Sequence, residues 1–200
     1  MQARPADTRS RLIEAAFAAF AGDGYRASVG RIAELAGVAR QTLYNHFPAK
    51  EALFSEAIAR AVHEVLISLD GDGDTRATLL RFAAAYRRRV LSAQGLAVLR
   101  TVVAEAPRFP DCARRFFREG PAATRRRLAA YLAAKMESGA LRRDDPQFAA
   151  EMLTAMLGDY DRLRGLIDLQ TKRSSEAKRC ERVVDCFLRA YAPERNRDAR

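Results

Sequence analysis

The segment Arg40–His46, RQTLYNH, sets Arg, Gln, Thr, Tyr, Asn and His around a single leucine. At this spacing the side chains make and accept hydrogen bonds rather than break covalent ones. Arginine pairs with guanine, and glutamine with adenine, through two hydrogen bonds each, so Arg40 and Gln41 are candidate base readers. Thr42, Tyr44 and Lys50 suit phosphate oxygens, which set register without reading sequence. The competing assignment for the same residues is a solvated surface helix with Tyr44 half-buried.

The position of the segment along the chain bears on the choice. Apolar residues recur at helical spacing almost everywhere and alternating runs are scarce, which predicts an all-α chain. A first helix is expected after a Thr8 cap, burying Leu12, Ile13, Ala16, Phe17 and Phe20 before Gly22 and Gly24 end it. A short second helix follows Ser28 and presents Ile32, Leu35 and Ala36; Gly37 breaks the chain, and Arg40–His46 forms a third, closed by Phe47 and Pro48. Ala33 and Gly37 allow close approach while Ile32, Val38 and Leu43 pack inside, the composition of a helix-turn-helix. There the second helix enters the major groove of double-stranded DNA, which gives the polarity of Arg40–His46 a use.

The rest of the chain reads as longer helices. One runs from Lys50 with Phe54, Ile58, Ala61, Val65 and Leu69 on a stripe, stopped by GDGD at 71–74. The next shows Leu79, Phe82, Tyr86 and Val90; another, after Gly95, shows Leu96, Leu99 and Val103 up to the Pro107–Pro110 turn. A segment from Asp111 to Glu119 meets Gly120 and Pro121, and a helix with Leu128, Leu132 and Met136 stops near Gly139. Asp145-Pro146, an N-cap followed by proline, opens a helix whose core face is expected to be Phe148, Met152, Met156, Tyr160, Leu163 and Ile167. After the polar link TKRSS, a last helix places Cys180, Val184, Phe187 and Tyr191 on one side, before a tail expected to fray.

Composition bounds the function. Two hundred residues, 48% hydrophobic, suffice for a globular core, and 35 Lys and Arg against 25 Asp and Glu give a formal charge of +10. That charge favours polyanionic partners. No run of about 18 apolar residues spans a bilayer and the start lacks a signal-like apolar stretch, so no membrane association and a cytoplasmic location are expected. Cys112, Cys180 and Cys186 form no C-x-x-C pair and read as free core thiols. The only histidines, His46 and His63, fall on different predicted helices and make a poor metal pair. With no Gly-rich phosphate loop, HExxH or nucleophile elbow, neither an enzyme, a metal site nor a cofactor is expected. The arginine runs at 87–89 and 125–127 read as solvated faces, open to an acidic ligand or to DNA.

The stretch GYRASVGRIAELAGVARQTLYNHFPAKEALF, Gly24 to Phe54, closely resembles the DNA-binding head of the TetR family of bacterial transcriptional regulators. The matching elements are Gly24-Tyr25, Ser28, Ile32-Ala33, Ala36-Gly37-Val38, Thr42-Leu43-Tyr44, Phe47, Lys50-Glu51 and Leu53-Phe54. The resemblance implies that Ser28 caps the second helix and touches phosphate, that Tyr44 and Lys50 hold the backbone, and that Arg40, Gln41, Thr42, Asn45 and His46 face the groove. The chain departs from the family at Ala39 and Ala49, where capping residues are common and whose loss costs about 0.5–2 kcal/mol each, and at Gln41, where a small residue is usual. The stretch from about Leu96 to Gly139 is similar to the C-terminal domain of AefR-like members.

The resemblance implies a homeodomain-like helix-turn-helix head at 1–50 and a larger helical ligand-binding and dimerisation domain at 51–200. It also implies a homodimer through the last two long helices, and repression at a palindromic operator relieved by a small-molecule effector. Candidate pocket residues, taken from helical faces, are Val62, Phe82, Tyr86, Leu99, Val103, Phe117, Met152 and Met156, each also a candidate for plain core packing. The alternatives are a helical interaction protein with a vestigial head, and a transcriptional activator.

Overall fold

The computed structural model describes residues 5–71, 74–169 and 175–193. The residues 72–73 of the expected GDGD stop, most of the polar link at 170–174 and the tail from 194 lie outside them. All regular structure among the described residues is helical: α1 Pro5–Gly22, α2 Val29–Leu35, α3 Arg40–His46, α4 Lys50–Leu66, α5 Thr75–Val90, α6 Ala93–Glu105, α7 Pro110–Glu119, α8 Pro121–Glu137, α9 Pro146–Leu166 and α10 Glu176–Ala190. Short 3-10 turns stand at Gly24–Arg26 and Ile67–Leu69.

Four of these helices, α2, α5, α6 and α9, start where a side chain replaces the missing backbone partner. The Ser28 hydroxyl accepts from the Arg31 amide at 3.0 Å, Asp74 from Ala77, Ser92 from Gly95 and Asp145 from Gln147. Ala39 precedes α3 with no side-chain cap, as its identity dictates. Thr8, expected as the first cap, lies inside α1, which begins at Pro5; proline is tolerated in a first turn because its missing N–H has no helical partner there.

Two compact units result. One runs to Val62 and includes Ser92–Pro121; the other holds His63–Leu91 and the chain from Ala122 onward. The packing units are therefore discontinuous, and α6 and α7 belong with the helix-turn-helix rather than with the rest of residues 51–200. The first unit is built on Leu12, Ala16, Phe20, Ile32, Leu43, Leu53, Phe54 and Ile58, with Cys112 and Phe116 of α7 packed against them. Arg9–Glu56 at 2.8 Å and Arg60–Glu14 at 3.0 Å tie α1 to α4. In the second unit Phe82, Leu128, Leu132, Leu153, Leu157, Val184 and Phe187 are sealed from solvent.

Several expected core positions fall outside. Leu35 is exposed and Ala33 takes its place, because the short α2 turns only one narrow face to α1 and α3. Phe148, Tyr160, Leu163 and Ile167 are more than half exposed, while Ala149, Ala150, Leu153 and Leu157 form the buried face of α9. This helix is apolar on two sides, and the core of its own unit buries one of them. Cys186 is exposed on α10, so only Cys112 and Cys180 are packed thiols. Burial pushes the Cys112 thiol up to about 11, which keeps it protonated and unreactive at neutral pH. Arg87 leaves the solvated run expected at 87–89: on the inner side of α5, it is buried and bonded to Asp161 at 2.9 Å, Glu176 at 2.8 Å and the Leu157 carbonyl.

Candidate nucleic-acid interface

The turn between α2 and α3 is fixed from three directions. Gly37 adopts a left-handed φ of 63°, which a side chain would disfavour, and its amide bonds to the Glu34 carbonyl at 2.9 Å. The Val38 amide returns to the Ala33 carbonyl at 3.0 Å. From α1, the Arg11 guanidinium donates to the carbonyls of Ala36 and Gly37, groups the end of α2 leaves unpaired. A Cβ on Gly37 would stand 2.9 Å from an Arg11 nitrogen. Gly37→Ala is accordingly expected to destabilise the head by about 1–2 kcal/mol through the left-handed φ alone, read as a lowered melting temperature. An unchanged melting temperature would refute the bracing role.

This frame anchors α3 by the fully buried Leu43 and leaves its other faces outward. Arg40, Gln41 and Asn45 are exposed, Tyr44 is 48% exposed, and Thr42 and His46 are half-buried. Gln41 donates to the Asn45 side-chain oxygen at 3.1 Å, one turn along, so the two amides form a single preset edge. Ser28 is exposed at the head of α2. Among the described residues the outward set is thus polar and contiguous in sequence, suited to hydrogen bonding a groove floor.

Lys50 stands apart from the others. Its ammonium donates to the Tyr25 carbonyl and lies 4.4 Å from the Tyr25 ring centroid. Burial lowers its pKa, against the opposing pull of Glu51. Glu51 in turn is lowered, first by its own backbone N–H at the start of α4 and then by the Tyr25 hydroxyl, which donates to it at 2.9 Å. Burial raises the Tyr25 phenol, so it remains a donor. A phosphate that recruits Lys50 must therefore compete with Tyr25.

The expected pocket residues divide between the two units. Phe82 and Tyr86 stack at 5.7 Å within the second unit's core, with Met152 and Met156 packed on it; Val62 and Leu99 are half-buried in the first unit. Val103 and Phe117 are more than half exposed, on helix faces that the first unit's core does not use. A small cavity of about 10 Å³, room for a single water, lies instead among Phe20, Tyr25, Phe54, Val98, Phe109 and Cys112, and none of the eight lines it. Helical spacing gives the outward faces of α3; it does not give the contacts of Arg11, of Tyr25 with Glu51, or of Arg26, which pairs with Glu105 at 3.3 Å, because these partners are distant in sequence.

Two family descriptions match the chain. Residues 12–57 match "Bacterial regulatory proteins, tetR family", and residues 77–193 match "AefR-like transcriptional repressor, C-terminal domain". Among solved structures, a TetR-family transcriptional regulator of Mesorhizobium loti is 26% identical, with 95% of this chain and 99% of that one covered and a TM-score of 0.75. The flavonoid-responsive regulator FrrA is 30% identical over 92% of this chain and 96% of its own, with a TM-score of 0.68. A TetR-family regulator from Pseudomonas syringae is 26% identical, covering 92% and 96%, with a TM-score of 0.66. Comparison with curated proteins gives no match.

These matches define a DNA-binding transcriptional regulator rather than an enzyme. The chain belongs to the TetR family.

Proposed function

We propose that the protein is a repressor that occupies a palindromic operator as a homodimer and leaves it when a small molecule binds the helical domain. The observation that carries this reading is the contiguous polar edge of α3, held outward by Leu43 below and Arg11 behind. Gln41, Thr42, Asn45 and His46 face base edges, while Ser28, Tyr44 and Lys50 hold phosphates. The match of residues 77–193 to AefR-like repressors supports repression over activation.

One head makes few contacts, so two recognition helices about one DNA turn apart are needed for a palindrome. The exposed stripe of Phe148, Tyr160, Leu163 and Ile167 supports α9 as a pairing face. The apolar residues of α10 are spent in its own unit's core, so α10 would pair through its outer residues. Residues 1–50 act as the DNA-binding part and 51–200 as the effector-binding and dimerising part. The effector is apolar or amphipathic; because FrrA is described as flavonoid-responsive, planar aromatic compounds are the first class to test. Such a ligand releases DNA only by binding the DNA-incompetent arrangement more tightly.

The test is selection of genomic fragments by the purified protein at near-physiological salt, with Tyr44→Ala as control. A shared palindrome, lost in the variant, is the expected result. Retention without a motif, equal in the variant, would replace operator recognition by charge-driven binding and favour an interaction protein.

A further inference from the structure

Arg40 is the first residue of α3, and helical side chains lean toward the N-terminus of their helix. Its guanidinium therefore leans off the end of α3, away from Gln41 and Asn45, and comes to rest on α2. A Cβ built on Gly30 would stand 2.5 Å from Arg40 Nη2, 2.8 Å from Nε and 2.9 Å from Cζ. The space that any other residue's side chain would need at position 30 is occupied by the arginine. Among the described residues the exposed Arg40 guanidinium makes no hydrogen bond or ion pair, so its five donors are available to a ligand. In helix-turn-helix docking the first of the two helices crosses the DNA backbone, while the second enters the groove. A guanidinium laid along the first turn of α2, beside Ser28, is thus placed for phosphate.

We infer that Gly30 is a positioning residue that directs Arg40 to the DNA backbone, leaving base reading to Gln41 and Asn45. This rests on the DNA-binding reading above and changes one of its roles: Arg40 contributes affinity on every sequence and no base preference. Gly30 lies outside the recognition helix, and the Arg40→Ala background separates an effect of Gly30 through the arginine from any direct effect on the backbone. Substituting alanine at Gly30 is compatible with the fold, because alanine favours helix more than glycine and the atoms it meets are the far end of a flexible side chain.

The test measures binding against salt for a fragment selected by the full-length wild-type protein, and for the same fragment with each half-site base pair replaced in turn. Arg40→Ala is expected to weaken all fragments by the same factor and to reduce the slope of log K against log salt by about one per protomer. Arg40→Lys should keep that slope, because a point charge suffices for phosphate. Gly30→Ala should reproduce the slope loss at an unchanged or raised melting temperature, and should add nothing in the Arg40→Ala background. The inference is overturned if Arg40→Ala alters preference at one base pair with the slope intact, or if Arg40→Lys loses the slope. It is overturned too if Gly30→Ala leaves the slope unchanged, lowers the melting temperature, or adds to Arg40→Ala. A wild-type protein that selects no operator, with Tyr44→Ala binding equally well, instead removes the DNA-binding reading and this inference with it.

Discussion

Arg87→Ala is expected to lower the stability of the protein by about 3 kcal/mol, the low end of the range for removing one partner from a buried ion pair. Arg87 is 4% exposed, and its guanidinium joins three helices: α5, which carries it; α9, through Asp161 and the Leu157 carbonyl; and α10, through Glu176. Burial is the largest influence on this group and opposes its charge, yet the bonds to Glu176 and Asp161 outweigh it and hold the pKa above the ordinary arginine value. Removing the arginine leaves Asp161, with a side chain only 20% exposed, next to a vacated space, and takes from the Leu157 carbonyl a second donor beyond its partner within α9. Glu176 is 48% exposed and recovers water, which is why the low end applies. For a chain of this length the loss corresponds to a fall of roughly 6–12 °C in melting temperature. The contrast is Arg76→Ala: the pair with Asp185 is exposed at 2.7 Å, and its removal should leave the melting temperature nearly unchanged. A small shift for Arg87→Ala, matching Arg76→Ala, would show that the buried cluster adds no net stability.

Much of the head was legible in the sequence because its signals are local. Ser28 three residues before Arg31 and Gly37 between two short apolar runs each act within a single helical turn, as does Asp145 before Pro146 in the other unit, and each appears where the spacing places it. Helix faces were less legible where a helix offers more than one apolar side. In α9 the large residues Phe148, Tyr160, Leu163 and Ile167 looked like the core, yet the small pair Ala149 and Ala150 allows the closer approach and is buried with Leu153 and Leu157. Size signals apolar character, whereas close packing between helices rewards small side chains as well. Arg87 departs from the solvated face expected of the run 87–89 for the opposite reason: charge points to solvent, and the compensating Asp161 and Glu176 lie far along the chain. The same distance hid the hold of Tyr25 on Lys50 and of Arg11 on the helix-turn-helix corner. Periodicity reports which way a residue faces along one element, and says nothing about which residue of another element meets it.

Lys50→Ala and Gln41→Ala are expected to separate the two components of operator binding. Each phosphate contact contributes about 0.9 to the slope of log K against log salt. Between 50 and 200 mM salt, Lys50→Ala should therefore narrow the fall in affinity by about threefold per protomer, alike on every fragment. The affinity lost at fixed salt should be less than a solvated lysine would give, because Lys50 must first leave the Tyr25 carbonyl and the ring 4.4 Å away, a contact worth about 0.5–1 kcal/mol. Tyr44→Phe removes a neutral donor, so it should weaken all fragments without altering the slope. Gln41→Ala should do the reverse of both. The Gln41 amide is aligned by its bond to Asn45 before DNA arrives, and loss of a bidentate base contact costs about 1–3 kcal/mol of discrimination at one base pair of each half-site. The slope should not change, since no charge is removed. Binding curves on the selected fragment and its single-pair variants, taken at several salt concentrations, give both quantities from one set of measurements. Equal losses on every fragment for all three variants would remove the division between phosphate and base contacts, and with it the assignment of the α3 edge as the sequence reader.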